Sequence, residues 1–491
     1  MVAPSLARRL QRKWVRRDAS AWTKLVQGVK PQEQMELSSS AVISQPAPRW
    51  MGIFADPNEP AGFLFFRLSI LTMLIQAVVV STAIKGLVPA FLLVLLQFGF
   101  DTTGQFLGRS ARSPFRPLIY FLVIFAAWQG ISQLANAFWT PNLHNAQLVS
   151  PEDAYSVLLR KSLFTQTLYL ITSVLFFLYL RNHLIEHDSR DRLLKLARIG
   201  VLIFVAYGFY EVIGYAVTGH NVDFLSNRVT GNQGGSYSNF QRLALGGIEL
   251  VRMKSLASEA SMFTFSLLPF MILYLYLKDK AWIPLLIAIV VSTSTTAYLG
   301  LATFFVAEMI LFGRWKRFAI AVSIVVVAWL YLQTTALGDM IGFILDKAMG
   351  ENTSGATRSA LFANSMDIFA NGSIVQQLFG HGFGYIRSTD GFATLLVNVG
   401  VLGMLAYVAF SLYPFFKMPW NTEYRKALLL GTITTIVTGF VSVSEFYFFH
   451  TWFFTALAWH ELYIEKKSKG AVLVNPTAGF SPQLNEEGSS A

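Results

Sequence analysis

The chain of 491 residues is 54% hydrophobic, 14% charged and 14% aromatic, with a mean hydropathy of +0.47, which excludes an ordinary soluble globular protein and points to a polytopic membrane protein. It contains no cysteine, so a disulfide framework, thiolate metal ligation and a cysteine nucleophile are excluded. Its formal charge of +11 raises nucleic acid as a partner, but the basic residues sit between apolar runs, where membrane topology explains them.

Residues 1–60 open with RRLQRKWVRR, Arg8 to Arg17, and continue as PQEQMELSSSAVISQPAPRW, with no apolar run long enough for a signal peptide. They read as a disordered cytoplasmic tail whose basic stretch sets topology or meets anionic lipid. A polytopic membrane domain over 61–464 follows. Its twelve predicted spans are 62–82, 84–101, 117–138, 161–181, 198–217, 257–277, 281–294, 296–313, 317–335, 391–414, 427–445 and 447–464. The seventh and eighth are short and meet at STSTTA, a polar hairpin expected below the surface. Residues 465–491 turn charged and then Pro/Gly/Asn/Ser-rich, as a disordered cytoplasmic tail would.

Taken alternately, the shorter connections carry 19 Lys and Arg and the longer ones 10, so the shorter set is assigned to the cytoplasm together with both termini. Loops 139–160, 218–256 and 336–390 then face the periplasm. The last is too long for a tight connection and is read as a structured cap. From Arg358 to Phe369 it places Leu361, Phe362, Met366 and Phe369 near helical spacing, with Asn364, Ser365 and Asp367 between them. That pattern suits a helix lying on the membrane surface.

Chemistry-bearing residues gather in the outer loops. Arg242, Arg252 and Lys254 precede the sixth span on the side where topology gives no reason for cations. They suit an anionic ligand, since guanidinium forks match phosphate oxygens, or they pair with Glu249 and Glu259 or reach headgroups. Glu259 stands at the mouth of that span, as a general base or as the partner of Arg252 or Lys254. In the third loop Arg358 leads the surface helix, and Arg387 stands three residues before Asp390. The GHGFG stretch, Gly380 to Gly384, is either a plain turn or a nest of N–H groups for an anion, and His381 within it is a candidate proton carrier. Asp390 is either an N-cap or a catalytic carboxylate. Arg67, Glu211, Glu308, Glu445 and His450 are given structural readings, Arg67 by snorkelling to the inner surface. No metal-ligand spacing occurs, and neither metal nor cofactor is expected.

The order SGATRSALF, then FGHGFGYIRSTDGFATLLVNVGVLGML, resembles the O-antigen polymerase and O-antigen ligase superfamily of bacterial polysaccharide assembly. There an arginine-led surface helix, a Gly-x-Gly turn and a polar residue before a helix ending in Gly-x-x-Gly follow in that order. SLASEASMFTFSL likewise resembles the acidic segment of exopolysaccharide polymerases, with Ala260 where proline often follows. Asp390 stands where ligases of this group usually carry histidine, which argues for a polymerase.

The resemblance implies an all-α integral membrane protein of about twelve spans, GT-C-like, with short surface helices on a large periplasmic loop. It implies a metal-independent glycosyltransferase of the inner membrane that polymerises undecaprenyl-diphosphate-linked oligosaccharide repeat units. Arg252, Arg358, Arg242 and Arg387 would then hold the diphosphate, with Lys254 and His381 as further candidates and Glu259 or Asp390 as base. Tyr237, Phe240 and Phe383 are candidates for stacking on sugar rings. Flippase and chain-length or export proteins are the implied partners, besides the bilayer itself. The rival readings are an O-antigen ligase acting on lipid A core and a lipid-linked oligosaccharide flippase or other transporter.

Overall fold

The computed structural model describes residues 63–81, 86–106, 115–141, 143, 146–150, 156–187, 190–228, 241–245, 248–333 and 353–474. The basic N-terminal tail, Tyr237, Phe240 and the end of the C-terminal tail lie outside the described residues. The elements in order are α1 (Leu64–Thr72), α2 (Pro89–Phe106), α3 (Phe115–Phe138), α4 (Lys161–His187), α5 (Arg190–Thr218), β1 (Arg242–Leu245) and β2 (Ile248–Val251). They continue as α6 (Ala260–Tyr276), α7 (Trp282–Val291), α8 (Thr295–Phe312), α9 (Trp315–Gln333), α10 (Thr353–Ala370), α11 (Ile374–Phe379), α12 (Gly391–Lys417), α13 (Glu423–Ser442) and α14 (Phe449–Val474). The fold is helical, with one antiparallel hairpin in which Arg242 pairs with Val251 and Leu245 with Ile248. Among the described residues, five helices are long and apolar enough to cross a membrane: Arg116–Phe138, Lys161–Ile185, Arg190–Thr218, Thr295–Phe312 and Gly391–Lys417.

α6 is the centre of the bundle. Its sequence, ASMFTFSLLPFMILYLY, is apolar on every side, and such a helix is stable only when surrounded. It is enclosed by α7, α8 and α13. Close approach is possible because Gly300 of α8 faces Leu268, and Gly431 of α13 faces Pro269 and Phe454. By contrast α3 and α9 expose Tyr120, Ile124, Leu134, Ile324 and Val325, an apolar surface suited to lipid.

The first predicted span, 62–82, is corrected: α1 stops at Thr72, and Met73 to Ser81 are not helical. Tertiary partners capture this backbone. Gln76 and Ala77 N–H donate to the Leu256 carbonyl at 2.9 and 2.8 Å, Val79 N–H to Asn227 Oδ1 at 2.6 Å, and Val80 N–H to Leu87 O at 2.8 Å. Arg67 is corrected too, because it is buried in α1 and does not reach a surface. The seventh helix, α7, has only ten residues, about 15 Å or half of a bilayer core. α14 runs to Val474, past the expected end of the last span at Ile464.

The cap helix α10 occupies the expected stretch but turns differently. Ser365 and Ile368 are its buried positions, and Phe362 is exposed. After α11, the turn Gly380 to Gly384 docks on a kink in α12 at Gly400, whose φ is 70° and ψ 179°. A Cβ on Gly400 would strike the Leu378 carbonyl, and one on Gly380 the Asn398 carbonyl. Both glycines are therefore needed because two backbones touch.

Candidate functional site

The hairpin and the bend after it deliver Arg252 to the start of α6. Arg252 donates through Nη1 to Gln241 Oε1 at 2.6 Å and through Nη2 to the Thr293 carbonyl at 3.5 Å, while its Nε is buried without a hydrogen-bond partner among the described residues. Thr293 lies in the polar connection between α7 and α8, so the shortness of α7 is what brings this backbone to the arginine. Arg358 approaches from α10. Burial and the field of Arg358 hold Arg252 below its ordinary pKa, against the opposing pull of Glu259. Among the described residues, neither Arg252 nor Arg358 has a carboxylate at ion-pair distance.

Glu259 occupies the N-cap position of α6 in extended geometry, yet its side chain caps nothing. It accepts a 3.2 Å hydrogen bond from Ser261 Oγ, and its field reaches both Arg252 and Arg387. The carboxylate is half-buried, and among the described residues no ion pair consumes it.

A second lobe adjoins the first. Arg387 donates through Nε to Ser444 Oγ at 3.3 Å and pairs through Nη2 with Glu445, in the non-helical link between α13 and α14. Glu445, opposed by burial, raises the Arg387 pKa. Arg228 donates to the Gln76 carbonyl at 3.2 Å and to Tyr447 Oη at 3.4 Å, within the field of Glu445. Its partner Gln76 belongs to the broken backbone after α1. Non-helical chain at membrane depth is tolerated where it is enclosed by protein or lines a cavity, and here both irregular segments hold arginines. Among the described residues, Arg228, Arg252 and Arg387 lie within the fields of two carboxylates, Glu259 and Glu445, and Arg358 within that of Arg252, six groups with a formal excess of two positive charges.

The other candidates fall elsewhere. Lys254 is corrected: its Nζ lies 3.0 Å from Glu211 and 2.6 Å from Asp223, in a buried triad. It pairs with these carboxylates and not with Glu259. Tyr207 Oη donates to Asp223 at 2.8 Å, and Ser255 N–H to Glu211 at 2.7 Å, so the triad pins the hairpin's return to α5. Arg242 is an exposed β1 residue. Glu249 lies among side chains outside the described residues.

The nest reading of GHGFG is corrected as well. His381 N–H donates to Val397 O at 2.8 Å, Gly382 N–H to Asn398 O at 3.2 Å and Phe383 N–H to Gln129 Oε1 at 2.9 Å, all to protein. Burial pushes the His381 pKa down to about 4, so it is a neutral packing residue and not a proton carrier at neutral pH. Phe383 packs against Phe125 and Phe446 and is buried, so its ring is already occupied by protein. Asp390 caps α12: Ala393 N–H donates to one oxygen at 2.7 Å, and Ser388 Oγ donates to the other.

Sequence reading overlooked Arg228, which counted only as a loop charge, and Glu445, which was given only a structural reading. The available signal was a carboxylate inside an apolar stretch, VSVSEFYFFH, at the end facing three arginine-bearing loops. Among the described residues no cluster of three His, Cys, Asp or Glu is arranged to hold a metal ion. No family model, curated protein or solved structure matches the chain.

Proposed function

We propose that the protein is a membrane glycosyltransferase that lengthens a glycan from lipid-diphosphate-linked repeat units at the outer face of the inner membrane. The observation that carries the reading is the joint position of Arg252 and Arg358, whose like charges lie within one field while, among the described residues, no carboxylate sits at ion-pair distance from either. A diphosphate supplies the missing negative charge and the acceptor oxygens both forks require.

In the transfer, a sugar hydroxyl of the acceptor attacks the anomeric carbon of the donor. The bond from that carbon to the diphosphate oxygen breaks, and its electron pair leaves with the diphosphate, whose charge the arginines stabilise. The hydroxyl proton passes to Glu259, which among the described residues is not committed to an ion pair and whose field reaches both lobes. Asp390 is not assigned this role because both its oxygens are occupied. The predicted twelve-span topology, with cytoplasmic termini, belongs to the same proposal. Its support is the gathering of Arg252, Arg358 and Arg387 at one end of the helices.

The test uses purified full-length protein in detergent with synthetic lipid-linked repeats. Elongation without any transmembrane compartment is expected, whereas a transporter gives none. Replacing Arg252 and Arg358 together by alanine is expected to reduce elongation by roughly a thousandfold, as loss of charge-stabilising donors does in other enzymes. A product ladder unchanged in the double variant refutes the reading.

A further inference from the structure

We propose that the cleft between α7 and α8 holds the polyprenyl tail of the lipid-linked substrate, an inference that rests on the function proposed above. Helices joined by so short a connection usually pack as antiparallel neighbours. These two part instead. Among the described residues α7 packs against α6 and α5, and α8 against α6, α9 and α13, while the two arms diverge from their shared turn. Thr293 reverses the chain there at φ 46°, a backbone angle rare for a β-branched residue. Ser292 fastens the turn to α6, its hydroxyl 2.9 Å from that of Thr264.

Each arm leaves an apolar stripe uncovered. On α7 Ile283, Ile287 and Val290 are exposed at helical spacing, and on α8 Tyr298, Val306 and Ile310 are exposed. Exposed apolar residues alone call for nothing beyond bulk lipid, as on α3 and α9. The apex sets this cleft apart, because the Thr293 carbonyl accepts from Arg252, the guanidinium assigned to the diphosphate. A lipid diphosphate held by Arg252 begins its tail beside that turn, and the tail has to stay out of water. Val290 and Tyr298 are the exposed apolar residues closest in sequence to the turn on either arm. The acyl chain of a bulk phospholipid has no such tether at the apex.

The chain has no cysteine, so Ile287→Cys, Tyr298→Cys and, as a control on exposed α9, Ile324→Cys each offer a single thiol for a benzophenone label. The full-length variants are irradiated in nanodiscs of phosphatidylethanolamine and phosphatidylglycerol with radiolabelled polyprenyl diphosphate. Saturable labelling at the Ile287 and Tyr298 positions, displaced by unlabelled polyprenyl diphosphate and absent at Ile324, supports the proposal. Equal labelling at all three overturns it, as do crosslinks to phospholipid that polyprenyl diphosphate does not displace and crosslinks to a second copy of the chain. A second measurement compares long-tailed and short-tailed polyprenyl diphosphates. Replacing Ile287 and Val290 together by alanine is expected to weaken binding of the long-tailed one by about tenfold and to leave the short-tailed one unchanged. Equal weakening of both marks a structural effect and overturns the proposal. If wild type elongates glycan while both cleft positions stay unlabelled, the cleft is lost and the proposed function stands. A wild-type protein that neither elongates glycan nor binds polyprenyl diphosphate removes both.

Discussion

The two ends of the helical bundle use the same residue types for opposite purposes. Away from the arginine cluster, Arg425 lies 2.9 Å from both Glu461 and Glu465, and Arg190 lies 3.2 Å from Glu461. Nearby chain ends repeat the pattern: Glu308 accepts from Tyr276 at 2.6 Å, Arg317 at 2.8 Å and Arg314 at 3.2 Å, and Arg314 also reaches Glu423 at 2.7 Å. There the cations share carboxylates, which ties α5, α13 and α14 together and fixes the α8–α9 connection. At the other end Arg252 and Arg358 lie within one field, and among the described residues Arg252 has neutral acceptors and the more distant charge of Glu259 but no carboxylate at ion-pair distance. Closed networks hold a fold, whereas an open excess of like charge costs stability and is expected where a ligand completes the balance.

The contrast is sharpest in a paired substitution. Arg425→Ala leaves Glu461 buried without its main partner and is expected to cost about 3–5 kcal/mol, read as a large fall in Tm in detergent. Arg358→Ala removes a repulsion, so stability is expected to stay level or rise by about 1 kcal/mol while elongation falls. A large Tm loss in Arg358→Ala breaks the distinction between the two ends.

Gly400→Ala probes how the cap holds the cluster. The new methyl meets the Leu378 carbonyl at a backbone angle that L residues rarely adopt, at an expected cost of about 2–4 kcal/mol. Increased proteolysis confined to the 353–390 segment locates the damage at that end. A wild-type digestion pattern and Tm contradict the close backbone contact.

A smaller effect comes from pH. Burial keeps His381 neutral down to about pH 4, whereas the unfolded side chain takes up a proton near 6.5. Between those values the unfolded state binds more protons, so stability falls as pH is lowered through that window, by up to roughly 3 kcal/mol at its acid end. His381→Gln is expected to flatten this part of the Tm profile. An equal slope in both proteins removes His381 as its source.

Legibility from sequence differed between backbone and site. The glycines of GHGFG and Gly400 stood out, but their reason, backbone meeting backbone, requires the turn to be docked. Asp390 could be read as an N-cap from STDGF alone because a cap is local, four residues at most. Lys254 and Arg252 are two residues apart and chemically alike, yet the first is buried between Glu211 and Asp223 and the second faces Arg358. Their local sequence holds nothing that separates them.

By itself the sequence determined where most helices form and in what order, together with the excess of basic residues in the shorter connections and the presence of arginines in the longer ones, where topology gives no reason for them. Apolar runs and charge asymmetry are one-dimensional properties, carried by each segment whatever its neighbours do. Only the tertiary structure decided that α1 ends at Thr72, that Glu445 and Arg228 join the cluster, and which carboxylates are already occupied. These depend on which groups compete for the same hydrogen bond or charge across hundreds of residues. The Leu256 and Asn227 partners that outbid helical hydrogen bonding after Thr72 leave no mark on the residues they capture.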